Sequence, residues 1–258
     1  MNEKSSLNYK LLVILNILAF IAMVVVNYLA NALPINDITT GEVSELYPNL
    51  FTPAGFTFAI WGLIYFLLAV FVAYQLVYLI KGRELNFVRR VSYLFLSSSL
   101  LNIVWIFAWH YLMIGLSLLI MILLLINLIT LYYRIHAASR EEPGLIISRI
   151  AFSIYVGWIT IATVANVTVY LVSIGWQGFG LPDSFWMIIL TIIATYIILR
   201  FMLKNKDWIY GLVGLWAFFG IVYRRLTTEP VEISVVIVLI IAMIAIAAGI
   251  IKIIRMRN

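Results

Sequence analysis

The sequence predicts an all-α integral membrane protein of eight transmembrane helices, a block of five followed by a block of three. Three observations predict it. Of 258 residues, 65% are hydrophobic and only 11% are charged, with a mean hydropathy of +1.10. A soluble domain of this length has too few polar residues here to cover its surface, so lipid must be the solvent for most of it. The charges cluster between long uncharged runs, most of them near or above the ~20 residues that cross a ~30 Å hydrocarbon core. Finally, the basic residues fall almost entirely on one side. With the N-terminus inside, the groups at 4–10, 81–90, 134–149, 200–206 and 252–257 all fall in the cytoplasm, and only Arg224 and Arg225 of the 17 bases fall outside. That positive-inside bias requires an even number of spans and places both termini in the cytoplasm of a cell-membrane protein.

The spans run at about 11–31, 57–80, 90–110, 112–133, 149–173, 184–203, 208–223 and 231–251. The first is too long for a removed signal peptide and lacks a small-residue cleavage site, so it reads as a retained helix. Span 208–223 is short. Span 231–251 is almost pure Ile, Val, Ala and Leu, as expected of a helix facing lipid on most sides. The net charge of +6 describes loops beside anionic lipid and not a nucleic-acid surface. With no cysteine present, disulfides and thiolate metal or haem ligation are excluded.

Among the loops, residues 32–56 stand out. Pro34, Pro48 and Pro53 forbid one continuous helix, the charges are Asp37, Glu42 and Glu45 without a base, and loops this long cap or gate something or serve as exposed connectors. The segment IGWQGFGLPD at 174–183 reads as the boundary between the two blocks. No internal repeat is visible, and five plus three helices do not divide as inverted transporter repeats do.

No Asp, Glu, Lys or Arg falls near the middle of a span, which argues against an ion-coupled pump. Amides and rings are the polar groups that remain. Asn16, Phe20, Met23, Asn27 and Asn31 share one helix face, as do Ser98, Asn102, Trp105 and Trp109; Phe58, Trp61 and Tyr65 follow the same spacing, and so do Tyr155, Ala162, Asn166 and Tyr170, with Trp158 at the edge. At 1.5 Å per residue, Asn27, Trp61, Asn102 and Asn166 lie roughly 6–12 Å below the outer ends of their helices. Four helices thus present hydrogen-bonding groups at one level beneath the long loop. This predicts either an aromatic-walled pocket with a lid or a structural hydrogen-bond layer. Asn16 and Asn127, without a partner at their depth, read as interhelix ties. His110 reads as a polar end group, with axial haem ligation the alternative, and His136 as solvated. No HExxH, phosphate-binding glycine loop, GxSxG or paired intramembrane carboxylate is present, so no catalytic constellation is expected.

Three stretches resemble one family. PAGFTFAIWGLIY at 53–65 is similar to the second-helix motif of the translocator proteins, the TspO or tryptophan-rich sensory family, through Pro53, Trp61 and Tyr65. LLNIVWIFAW at 100–109 resembles its third-helix pattern through Asn102, Trp105 and Trp109, and YVGWITIATVAN at 155–166 its fifth through Tyr155, Trp158, Ala162, Thr163 and Asn166. The resemblance covers about residues 8–174 and leaves the last three helices outside it. It departs at Phe51-Thr52-Pro53, where the family carries a tryptophan before a proline pair, and at Ile154, where it carries a proline. No base closely follows Tyr170, which argues against a sterol ligand.

The resemblance implies a five-helix bundle that receives a porphyrin or another hydrophobic molecule under the first long loop, with haem as a possible ligand and no cofactor required. The family's pocket tryptophan and asparagine carry over to Trp61 and Asn102, expected as hydrogen-bond donors, and spacing and depth together with the motifs place Tyr65, Trp105, Trp158, Ala162, Asn166, Asn27 and Pro53 around them. The expectation is a membrane receptor, sensor or translocator and not an enzyme. The alternatives are a channel or transporter for a small neutral solute, with the polar lining continuing through Asn16 and Asn127, and a regulatory subunit whose last three helices dock a partner. Ala69 and Ala73 suit an interhelix or a homodimer contact equally.

Overall fold

The computed structural model describes residues 3–91, 93–139 and 145–256. Arg140 and Arg257, counted among the cytoplasmic bases, lie outside them. Among the described residues ten α-helices follow in order: α1 (Glu3–Ala32), α2 (Thr40–Glu45), α3 (Ile60–Ile80), α4 (Asn86–Val91), α5 (Leu94–His110), α6 (Ile114–Ala138), α7 (Ile146–Ser173), α8 (Asp183–Asn205), α9 (Trp208–Thr227) and α10 (Ile233–Arg255). Short 3₁₀ turns occupy Ile35–Asp37, Gly55–Ala59 and Gly178–Gly180. No strand occurs among the described residues. Seven helices are long and apolar enough to cross a membrane, and α5 is apolar but shorter, at 17 residues. The chain is a multi-pass, all-helical membrane protein.

The expected third span, 90–110, is corrected in its extent. It divides into α4 and α5, and Tyr93 precedes α5 in a non-helical conformation (φ −82°, ψ 1°). The seventh span is longer than its apolar run: α9 continues to Thr227 and carries Arg224 and Arg225 in its last turn. Span 231–251 leaves most of its sides uncovered, as expected, and packs along one stripe. In α10, Val235, Leu239, Ala242, Ile246, Gly249 and Ile253 are buried as one stripe against α8 and α9.

Helix ends follow local chemistry. Pro182 cannot continue a helix from its N-terminal side and precedes α8 directly. Lys206 closes α8 in the left-handed region (φ 52°), and the Asp207 carboxylate then accepts from the backbone N–H of Ile209 and Tyr210 at 3.1 and 3.2 Å, capping α9. Within the spans, hydroxyls turn back onto their own helix, as in Thr163 to Ile159, Thr191 to Met187 and Thr195 to Thr191. Hydrocarbon offers them no other acceptor.

Compactness separates two units: residues 1–40 with 61–156, and residues 41–60 with 157–258. In the first, α5 packs on α1 and α6, and α4 on α1 and α6. Its core includes Phe71, which meets Phe95 and Phe152 at 5.1 Å each and Phe87 at 5.8 Å. In the second, α8, α9 and α10 pack mutually, and the Gly55–Ala59 turn packs on α9. The loop 174–183 lies inside this second unit.

Candidate functional site

In the first unit an unbroken run of polar side chains crosses three helices. Asn27 Nδ2 of α1 donates to Asn102 Oδ1 of α5 at 2.6 Å, and also to the Met23 carbonyl of its own helix at 2.9 Å. Asn102 Nδ2 donates in turn to the Tyr155 hydroxyl of α7 at 3.4 Å. All three residues are buried. Each amide was expected here by helical spacing and depth; Tyr155 supplies the junction.

Tyr155 leads to the aromatic wall. Trp61 meets its ring edge-on at 6.0 Å and stacks on Tyr65 at 5.5 Å with planes 20° apart, so two phenols flank one indole. Four expected residues, Asn27, Asn102, Trp61 and Tyr65, are thereby linked. Two donors beside them are unsatisfied: the Tyr65 hydroxyl and the Trp105 indole N–H are buried without a hydrogen-bond partner among the described residues. Such groups are rare and costly unless something completes them.

Trp105 itself stacks on Trp109 at 5.7 Å, and Trp109 Nε1 donates to the Thr40 carbonyl at 3.1 Å. His110 continues this anchorage and is a correction to its reading as an end group. It is fully buried. Its Nδ1 lies 3.1 Å from the Ile35 carbonyl and its Nε2 2.9 Å from Thr40 Oγ1. A carbonyl only accepts, so Nδ1 carries the proton; in the neutral ring Nε2 then accepts from the threonine hydroxyl. Asn36 Nδ2 adds a bond to the His110 carbonyl at 3.0 Å. The start of the long loop is pinned to the end of α5 by these contacts.

Asn16 is an interhelix tie, as expected. It has a partner, Gln75 Oε1 of α3, at 2.9 Å, with both residues buried. His136 is half-buried, with its ring centroid 3.8 Å from that of Tyr132 and the planes tilted by 31°, rather than solvated.

The second unit holds Pro53, Trp158, Ala162 and Asn166. Trp158 meets Phe58 edge-on at 5.9 Å. Asn166 donates to the Ala162 carbonyl of its own helix at 3.1 Å. The Pro53 carbonyl accepts from Arg224 Nη1 at 3.3 Å. Around it, α9 grips the end of the long loop: Ala54 N–H donates to the Gly220 carbonyl at 3.1 Å, Trp216 Nε1 to the Thr57 carbonyl at 2.9 Å, and Arg224 pairs with Glu45 at 3.6 Å. A Cβ on Gly220 would collide with the Thr57 side chain. Sequence reading missed these residues, although Gly211, Gly214, Ala217 and Gly220 recur every third position as a small-residue face. A recess of about 80 Å³ in this unit is lined by residues from 48–51 and 168–190, none of them among the expected contacts.

The chain matches the model for TSPO-like proteins over residues 13–251. It belongs to the TSPO-like family. The match continues past residue 174, through α8 and α9 and into α10, so in this TSPO-like protein the last three helices fall within the matched region. No curated protein and no solved structure matches it. Among the described residues no group of three or more His, Cys, Asp or Glu is placed to hold a metal.

Proposed function

We propose that this TSPO-like protein is a receptor or translocator of the cytoplasmic membrane, with both termini in the cytoplasm, that binds a hydrophobic, tetrapyrrole-like ligand against the Trp61–Tyr155–Asn102 cluster in the outer half of the bilayer. The reading includes no catalytic step. One observation carries it: the buried hydroxyl of Tyr65 and the buried indole N–H of Trp105 have hydrogens to give and no acceptor, while Asn27 and Asn102 are fixed by each other. A ligand completing this set must bring acceptors on an apolar, ring-shaped body, as a porphyrin with its carboxylates does. No cation is described in contact with these residues, so the ring body must supply much of the affinity.

The alternative of a solute path through Asn16 is less well supported, because the Asn16 amide is engaged by Gln75.

The test is a porphyrin titration followed by the shift of its main absorption band, which does not depend on counting tryptophans. Tyr65→Phe, which keeps the ring and removes the hydroxyl, is expected to weaken binding about tenfold, the worth of one buried hydrogen bond of about 1.4 kcal/mol. The double variant Trp61→Phe with Asn102→Ala is expected to weaken it further. Unchanged titrations in both would overturn the assignment.

A further inference from the structure

The recess in the second unit has a wall whose polar groups are nearly all in use. Asn49 Oδ1 accepts from the backbone N–H of Phe51 and Thr52 at 3.0 Å each and from Thr168 Oγ1 at 3.4 Å, while its Nδ2 donates to the Tyr47 carbonyl at 2.9 Å. Thr168 Oγ1 also contacts the Ala165 carbonyl at 2.7 Å. The Trp186 indole N–H donates to the Gly178 carbonyl at 2.9 Å. These bonds hold the walls and leave little to offer a ligand.

Asp183 is the exception. It is the one ionisable residue among those lining the recess, it is exposed, and no hydrogen bond or ion pair engages it among the described residues. Its position in the first turn of α8 suits a carboxylate through the helix dipole alone. The surroundings go beyond that. Trp176 and Trp186 stand beside it in the lining at 4.8 Å from one another, with planes 63° apart, and Phe51 and Met187 complete an apolar surface. The backbone that presents Trp176 and Gly178 passes through left-handed conformations at Gly175 (φ 68°) and Gly178 (φ 59°). At Gly178 the turn is also tight, because a Cβ there would lie 2.8 Å from Trp186 Nε1.

A carboxylate beside two indoles on an apolar floor selects one ligand chemistry. Anions are repelled, neutral donors gain little because the competing water is cheap to keep, and an organic cation gains both the charge and the ring faces. We propose that this recess is a second binding site, separate from the Trp61 cluster, for the head of a small alkylated ammonium ion. Its volume of about 80 Å³ is roughly half that of a cavity that holds benzene. It therefore accepts a compact head group, and the remainder of the molecule stays outside. That head group can come from a free quaternary amine or from a choline lipid.

The test uses the full chain in nanodiscs and isothermal calorimetry. Choline is compared with its neutral isostere 3,3-dimethylbutan-1-ol. Saturable choline binding at least tenfold tighter than the alcohol is expected, and Asp183→Asn should lose at least tenfold in choline affinity with no change for the alcohol. Should Asp183→Asn unfold, Trp176→Leu tests the aromatic wall with the same expected loss. Equal binding of the two isosteres, no saturation, or an unchanged affinity in a folded variant overturns the site. Weaker choline binding in phosphatidylcholine than in phosphatidylglycerol nanodiscs identifies the lipid as the source, and equal binding identifies the free amine. Porphyrin binding at Trp61 is read separately, so either site can fail without the other.

Discussion

Buried amides tie the helices of the first unit together, whereas those of the second close on one another through glycine. Asn16 reaches Gln75, and Asn27 reaches Asn102 and through it Tyr155. In the second unit Met202 of α8 is lodged against Gly211 of α9 and Gly249 of α10, and Thr57 rests where Gly220 lacks a side chain. Lipid supplies no hydrophobic drive between helices, so both devices answer the same need. One gains hydrogen bonds that hydrocarbon cannot offer; the other gains close van der Waals contact. The difference teaches where each unit tolerates change. Amide ties are specific in chemistry and forgiving in volume. Glycine contacts are the reverse.

The sharpest way to break this contrast is Gly220→Ala. Its methyl would meet Thr57 Oγ1, Cβ and Cγ2, atoms close to a backbone that is itself bonded to α9, so little can give. A loss of about 3 kcal/mol is expected in thermal or denaturant unfolding, and Thr57→Gly in the same chain should recover most of it. An unaffected single variant would show that the loop is free to move. Next comes Asn102→Leu, which leaves one N–H of the Asn27 amide without its acceptor and removes the bond to Tyr155. About 1–2 kcal/mol is expected, checked by the same unfolding curve.

A smaller effect is expected at the Asn16–Gln75 pair. A double-mutant cycle with leucine at both positions should give a coupling of about 0.6 kcal/mol, with the double replacement close to neutral because no polar group is left alone. The smallest belongs to Gly249→Ala. The atom it would strike is the terminal methyl of Met202, at the end of a flexible side chain that can swing aside, so about 0.5 kcal/mol or less is expected. If this variant equalled Gly220→Ala in cost, the distinction between rigid and yielding neighbours would fail.

How much of this was legible in the sequence follows the same division. The seven long apolar helices and the shorter α5 all show as apolar runs because length and polarity are local properties. The amide face containing Asn27 and the one containing Asn102 are visible by helical spacing, and their meeting follows from depth. Gln75 was not recognised as Asn16's partner, because a lone amide in an otherwise apolar helix forms no stripe and pairing over 59 positions leaves no local mark. The break before Leu94 lies in a run of apolar and hydroxyl residues that reads as helix throughout. At the candidate site, Trp61, Tyr65, Asn27 and Asn102 were expected together and stand linked through Tyr155. The roles of Trp216, Gly220 and Arg224 were not, since hydrogen bonds to a loop carbonyl depend on where the loop folds back. A three-residue repeat of small side chains in α9 was the signal that would have found them.

Leu94–His110 has 17 residues, about 25 Å of rise, against roughly 30 Å for a typical hydrocarbon core. Its neighbours α1 and α6 are 30 and 25 residues long. The helix that carries Asn102 is thus the short stave of its unit. Thickening the membrane with longer acyl chains would load this stave first, through a cost of fractions of a kcal/mol per ångström, and His110, locked at its tip, is where that load enters the loop.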